Sequence, residues 1–225
     1  MKSLIFPSYC PLCNVILDID QKGLCKNCVD ELALIGEKYC KYCGKELGYS
    51  GVCQDCAESR SYFWNLRRSV YKYNDAMADL VHEFKYKNNT ELIDFFSKIF
   101  HEKFKEYFQN IQIDYIIPVP VSEKRLKERG YNQVELLIKK FDGRKVRKDI
   151  LIRSKNTKPQ SSFENDKKRK MNVKNAFKLI ESVKNQNILV VDDIITTGAT
   201  LYEIGRLLKK NGALKVYNYS LIRSR

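Results

Sequence analysis

Long apolar runs are missing from this 225-residue chain. No stretch approaches the roughly 18 apolar residues that a membrane-crossing helix needs, which excludes a transmembrane segment. The N-terminal stretch Leu4-Ile5-Phe6 stops at Pro7, too short for the hydrophobic part of a secretory signal. Cysteine is absent from the whole chain after Cys56, although eight cysteines lie before that point. Without an export signal the expected compartment is the cytoplasm, where thiols stay reduced, so disulfides are not the expected use of those eight. Histidine occurs twice, as His82 and His101, both on helical patterns and both read as ordinary side chains. What remains is 44% hydrophobic and 30% charged, the composition of a soluble, folding chain rather than a disordered one. The length suits one ordinary domain plus a small one, or two modest domains.

The net charge of +14 is unevenly placed. Residues 1–60 hold seven basic and eight acidic side chains, whereas residues 61–225 hold 34 and 19. Ser122 to Lys178 alone holds 19 basic and seven acidic ones, +12 in 57 residues. Composition therefore breaks near Arg60, where a domain boundary is expected, between residues 1–60 and 61–225. The basic excess points to phosphate-bearing partners, with a solvated basic face as the plain alternative.

The cysteines form four C-x-x-C pairs: Cys10/Cys13, Cys25/Cys28, Cys40/Cys43 and Cys53/Cys56. This spacing lets two sulfurs face one metal while backbone N–H groups of the tight turn bond the thiolates. Gly44 follows Cys43, as a turn needing positive φ requires. Two such turns make a closed tetrahedral four-cysteine site, the structural form of zinc. The simplest assignment places Cys10, Cys13, Cys25 and Cys28 on one zinc and Cys40, Cys43, Cys53 and Cys56 on another. A cross-braced arrangement is the alternative, and disulfides or redox pairs are the non-metal ones. Sixty residues with few large apolar groups do not build an adequate core, so metal binding would supply the folding free energy.

After residue 60, strands and helices alternate. Strands are expected over residues 62–73, Ile113–Pro118, Ile150–Arg153, Ala176–Ile180, Ile188–Val191 and Val216–Ile222. Helices are expected from Asp75 to Tyr86, with Asp75 as cap, from Thr90 to Gln109, with Thr90 as cap, from Asn132 to Phe141, and from Ala199 to Lys210 before a Gly212 C′ cap. The Phe95, Phe96, Phe100, Phe104 and Phe108 stripe reads as core. A basic loop follows Pro118-Val119-Pro120, and Lys155–Asn175 reads as a mobile loop with a helical turn near Asp166–Lys170. The class is α/β with a mostly parallel sheet.

The sharpest chemical signal is Ile188-Leu-Val-Val-Asp192-Asp193-Ile-Ile-Thr196-Thr197-Gly198-Ala199-Thr200-Leu201. A buried strand ends in two carboxylates, and a hydroxyl-rich turn with one glycine enters a helix. The N–H groups at that helix start attract an anion, and Gly198 lets the backbone close around a phosphate. Two carboxylates one step away suit neighbouring sugar hydroxyls, directly or through Mg²⁺. Taken alone, Asp192-Asp193 equally fits a response-regulator-like acidic pair, and Thr196-Thr197 a helix cap.

The whole string resembles the 5-phosphoribosyl-1-pyrophosphate (PRPP) motif of type I phosphoribosyltransferases. Together with the four C-x-x-C pairs, Pro118-Val119-Pro120, Arg125, the Arg129-Gly130-Tyr131-Asn132-Gln133 string, and Thr157, Gln160, Arg169, Asn172 and Phe177, it makes the chain similar to the ComF family. Ser161-Ser162-Phe163 departs from the small residue and Leu usual there. The resemblance implies a type I phosphoribosyltransferase fold preceded by a small double zinc ribbon. It implies that Asp192 and Asp193 meet the ribose hydroxyls, and that Thr196, Thr197, Gly198, Ala199 and Thr200 hold the 5-phosphate. Val119, Lys124 and Arg125 fall in the implied pyrophosphate loop; Arg125 and Arg129 join Asp192 and Asp193 as catalytic candidates. Lys155–Asn175 would be the lid.

By the same resemblance the implied function is PRPP and Mg²⁺ binding joined to handling of single-stranded DNA in the cytoplasm during natural transformation, with proteins of the DNA-uptake machinery as further partners. The alternative is a Mg²⁺-dependent phosphoribosyltransferase acting on a nucleobase or related nitrogen nucleophile. No acceptor pocket with base-reading residues is legible in the sequence.

Overall fold

The computed structural model describes residues 7–18, 20–59, 63–86, 89–155 and 166–224. In chain order the elements are α1 (Lys26–Asp30), α2 (Gln54–Ser59), β1 (Leu66–Lys72), α3 (Asp75–Tyr86), α4 (Thr90–Phe108), β2 (Tyr115–Pro118), α5 (Glu123–Arg129), α6 (Gln133–Leu137), β3 (Leu151–Arg153), α7 (Asp166–Val173), β4 (Phe177–Leu179), β5 (Asn187–Ile195), α8 (Ala199–Lys210) and β6 (Lys215–Arg223). Four strands form a parallel sheet in the order β1-β6-β5-β2, and β3 and β4 pair antiparallel beside it.

The unbroken apolar run of β5 is what a strand buried on both faces requires. Ile188 and Val190 point to one side, where Ile117, Val216 and the α8 residues Ile204 and Leu208 pack. Leu189 and Val191 point to the other, onto Ile116, Tyr217, Tyr219 and side chains of α3, α4 and α6. The aromatic stripe of α4 is core, as its spacing predicts: Phe100 stacks on Tyr219 with ring centroids 4.0 Å apart, and the Tyr219 hydroxyl donates to the Phe100 carbonyl at 2.8 Å.

Both sheet edges are covered, which removes unpaired backbone groups that would otherwise template association. At β2, Ile116 N donates to Lys145 O and Arg147 N to Ile116 O. At β1 the cysteine-rich segment takes this role: Ile35 N donates to Val70 O, Lys72 N to Ala33 O, and Arg67 N to Lys41 O. Arg68 is held between the rings of Tyr39 and Tyr107, 3.6 and 3.9 Å from their centroids, a cation–π clamp joining the cysteine-rich segment to α4. The core on the α4 side also takes in Cys10, Leu17, Leu24, Cys28 and Leu32.

Several local expectations shift. The segment after Val121 is a helix, not a loop, because the Ser122 side chain caps Arg125 N and Gly130 closes the last turn with φ 79. The cap before α3 is Asn74, whose side chain accepts from Met77 N, and before α4 it is Asn89, accepting from Leu92 N; neither Asp75 nor Thr90 fills the role. The expected helix over Asn132–Phe141 stops at Leu137, and the chain turns so that Phe141 enters the α4 stack, 4.4 Å from Phe104. Strand β5 runs on through Asp192 and Asp193 to Ile195, because β6 pairs with it that far. The helical turn expected near Asp166–Lys170 is the longer α7. Thr157, Gln160 and Ser161-Ser162-Phe163 lie outside the described residues.

Candidate functional site

Two clusters of sulfur stand at the cysteine-rich end. Cys10, Cys13, Cys25 and Cys28 make one, and Cys40, Cys43, Cys53 and Cys56 the other, with the sulfurs of each within 4.8 Å of one another. The grouping is sequential rather than cross-braced. All eight are free thiols. Sulfur–sulfur separations are 3.6 Å for Cys13–Cys25 and 3.7 Å for Cys43–Cys53. A disulfide needs about 2.05 Å, whereas a tetrahedron of roughly 2.3 Å Zn–S bonds spaces its sulfurs near 3.7 Å. Gly44 takes the positive φ expected of it, 75°, and Asn14 does the same after Cys13, with φ 58°.

The electrostatics of each cluster call for a cation. Burial opposes ionisation of Cys10, yet N–H groups of Cys25, Cys13 and Leu12 bring its thiol down to about 6. Cys40 falls to about 7 in the same way, burial again opposing the N–H groups of Cys53, Cys43 and Tyr42. Burial first, and then neighbouring cysteines, push Cys28 and Cys56 well above the ordinary thiol value. Four sulfurs so crowded ionise together only around a soft divalent ion, and the donor set fits structural zinc with no open position.

The second centre of interest lies at the C-terminal ends of the parallel strands. Asp192 is nearly buried and pairs in register with Ser220; Asp193 follows at the rim. The turn Thr196-Thr197-Gly198 reverses the chain, Gly198 standing at φ 74° as the N-cap of α8 without a side chain to cap it. Thr197 Oγ1 accepts from Ala199 N at 3.3 Å. The first turn of a 12-residue helix is thereby aimed at a cavity of about 280 Å³. Val119, Arg125, Arg129, Asp192, Asp193 and the loop Thr196–Thr200 all line it. Residues separated by up to about 80 positions in the chain thus converge on one space.

Lys124 does not line that cavity. It sits on the outer side of α5, with 76% of its side chain exposed, 3.9 Å from Glu128. Its neighbour Arg125 faces inward, since the helical turn of α5 that the loop reading lacked separates their directions. Arg129 Nη1 donates to Gln133 Oε1 at 3.1 Å, which holds the end of α5 against the start of α6. Asn132 ties the same region to the sheet: its Nδ2 donates to Val119 O at 3.1 Å while its Oδ1 accepts from Val134 N.

Arg153, at the end of β3, also lines the cavity, and nothing in its sequence surroundings marks it. Burial, with Arg125 adding to it, lowers its guanidinium to about 10, and the Asp192 carboxylate opposes that fall. Its charge persists at neutral pH. The cavity thus has acidic groups on its β5 wall, open N–H groups at the α8 start, and arginines on the α5 and β3 walls, a layout for an anion at each end of a hydroxylated core.

Residues 1–57 match the double zinc ribbon domain family, and residues 86–225 match the phosphoribosyl transferase domain family. The chain is 33% identical over 220 residues to the competence protein ComFC of Bacillus subtilis, covering 93% of this chain and 87% of that one. It is 31% identical over 226 residues to competence protein F of Haemophilus influenzae, covering 96% of each. It is 29% identical over 231 residues to the DNA utilization protein YhgH of Escherichia coli K12, covering 98% of this chain and 99% of that one. With two four-cysteine centres, a parallel sheet ending in the acidic pair and anion loop, and this full-length similarity, the chain belongs to the ComF family, a double zinc ribbon followed by a phosphoribosyltransferase domain.

Proposed function

We propose that the chain binds PRPP with Mg²⁺ in the cavity beside β5 and handles single-stranded DNA in the cytoplasm during DNA uptake. The observation that carries the ligand half is the convergence of Asp192, Asp193, the Thr196–Thr200 loop, Arg125, Arg129 and Arg153 on one cavity. In this reading the α8 start and its loop take the 5-phosphate, and the acidic pair takes the ribose hydroxyls, directly or through Mg²⁺. The three arginines take the diphosphate. Mg²⁺, when bound, neutralises diphosphate charge. The DNA half is supported by the basic excess of Ser122–Lys178 and by relatives named for competence and DNA utilization. Proteins of the uptake machinery are the further partners of this reading.

The second reading is phosphoribosyl transfer to a nucleobase or related nitrogen nucleophile. It draws on the same arginines, placed to stabilise a departing diphosphate. Calorimetric titration of PRPP with Mg²⁺ tests the shared ligand claim, and Asp192→Asn with Asp193→Asn should abolish that binding. A labelled oligonucleotide, titrated at two salt concentrations, tests the DNA half: affinity should fall steeply with salt and survive the double substitution. Pyrophosphate release from PRPP with a panel of bases tests transfer. Rapid base-dependent release, with no oligonucleotide binding at low salt, would replace the first reading with the second.

A further inference from the structure

Apart from the cavity beside β5, a second cleft of about 400 Å³ lies between α7 and α8. That volume falls within the range of small-ligand sites, about 300–1,000 Å³. Its open walls are apolar. Met171 of α7, 68% exposed, and Tyr202 of α8, 42% exposed, both line it. Tyr202 is a fixed platform, since the Phe63 ring meets it edge-on with centroids 5.2 Å apart. Phe63 is itself seated on α8 over Gly205, where an added Cβ would stand 3.0 Å from Phe63 Cβ.

The polar groups of the lining are paired with one another. Glu203, 7% exposed, accepts from Asn175 N at 2.8 Å and from Arg206 Nη2 at 2.7 Å. Arg206 Nη2 also reaches Asn175 Oδ1 at 3.4 Å. This network pins the turn after α7 to α8, and the Arg206 charge offsets that of Glu203, so the carboxylate does not repel an anion. The rim is strongly basic. Residues 166–174 hold five Lys or Arg and one Asp. Lys174 is exposed and lines the cleft itself. Lys168, also exposed, precedes Met171 by three residues on α7 and so lies on neighbouring helix surface.

An apolar slot with a flat aromatic wall and a basic rim fits a chain of negative charges that carries planar apolar groups. Single-stranded nucleic acid has that chemistry, whereas a duplex keeps its bases stacked inside. We propose that the α7–α8 cleft is a base-stacking site for single-stranded DNA, with one base on Tyr202 beside Met171 and the flanking phosphates on Lys174 and Lys168. The proposal rests on the DNA half of the reading above and deepens it by giving the strand a place. The cleft and the cavity beside β5 share only Ala199, at the start of α8, so a strand in one does not displace PRPP from the other.

The test uses the full chain and two fluorescein-labelled probes, oligodeoxythymidine and an abasic oligonucleotide of the same length, which keeps the phosphates and lacks the bases. Anisotropy titrations over a series of salt concentrations should show tighter binding of the thymidine strand. Tyr202→Ala should weaken that strand about tenfold and leave the abasic one unchanged, while Tyr202→Phe keeps wild-type affinity. Lys174→Gln should instead weaken both probes and reduce the salt slope by about 0.7, the share of one phosphate contact. Circular dichroism reports folding. If Tyr202→Ala fails it, Met171→Glu, at a far more exposed position, takes its place and should weaken the thymidine strand more than the abasic one. Equal binding of the two probes by wild type would overturn the stacking site and leave electrostatic DNA binding standing, as would a folded Tyr202→Ala protein indistinguishable from wild type. Tyr202-dependent binding of polyglutamate as tight as that of the thymidine strand would overturn it in favour of an acidic protein partner. Failure of the wild type to bind either oligonucleotide at low salt would instead overturn the underlying DNA reading.

Discussion

Replacing Gly44 by alanine should loosen the second cysteine centre from the sheet. The residue closes the Cys40/Cys43 turn at φ 75°, a conformation that costs an L side chain about 1–2 kcal/mol. An added Cβ would also stand 3.0 Å from the Arg67 carbonyl oxygen and 3.4 Å from its carbon. Those are backbone atoms of β1, held by pairing to β6, so no rotamer change relieves the contact. Overpacking of this kind costs about 1–3 kcal/mol. Together the two effects come to about 3 kcal/mol, or a melting-temperature drop of about 6–12 °C for a chain of this size. Asn14 occupies the matching place in the first turn at φ 58°, and Asn14→Ala is the control, expected to lower melting by only about 2–4 °C. Thermal melts followed by circular dichroism, with zinc release read by a chromogenic chelator, make the comparison. A Gly44→Ala protein that melts no lower than Asn14→Ala and holds its zinc equally well would refute the reasoning.

Three further outcomes are expected. Metal analysis of the purified protein should find two zinc ions per chain, one for each sulfur cluster; one or none would contradict the paired-site geometry. Tyr219→Phe should cost about 1 kcal/mol in urea unfolding, because it removes the buried hydroxyl that donates to Phe100 O while leaving the 4.0 Å ring stack in place. His101, partly buried beside Phe141, is pushed below its ordinary value of 6.5 by burial, with Lys105 and Lys140 adding to the effect. The unfolded chain therefore takes up that proton first, and stability should fall as pH drops through 6.5. His101→Phe should flatten that step in pH-dependent melts, and an unchanged pH profile would count against it.

Much of the chemistry is legible in the sequence because it is encoded at short range. A C-x-x-C turn brings two sulfurs together whatever surrounds it, and a strand, an acidic pair and a glycine turn into a helix form one continuous local structure. Hydrophobic period gives the alternation of elements, and the Phe stripe of α4 is core. The Ser122 and Gly130 signals that make α5 a helix are equally local, but the density of charge between them masks the helical pattern.

Long-range placement is a different matter. Which cysteines share a metal depends on how two separate turns face each other, and the sequential grouping is fixed only in three dimensions. Arg153 reaches the cavity because β3 and β4 pair beside the sheet, and Arg67 lies under Gly198 because β1 joins the sheet through β6. Neither residue carries a neighbouring motif that would announce it. Lys124 and Arg125 are adjacent in sequence and equal in charge, yet the step of about 100° between neighbours on a helix sends the first to solvent and the second into the cavity. Local spacing settles the kinds of chemistry this chain contains; strand pairing and burial settle which side chains meet, because those contacts depend on distances that run through the whole fold.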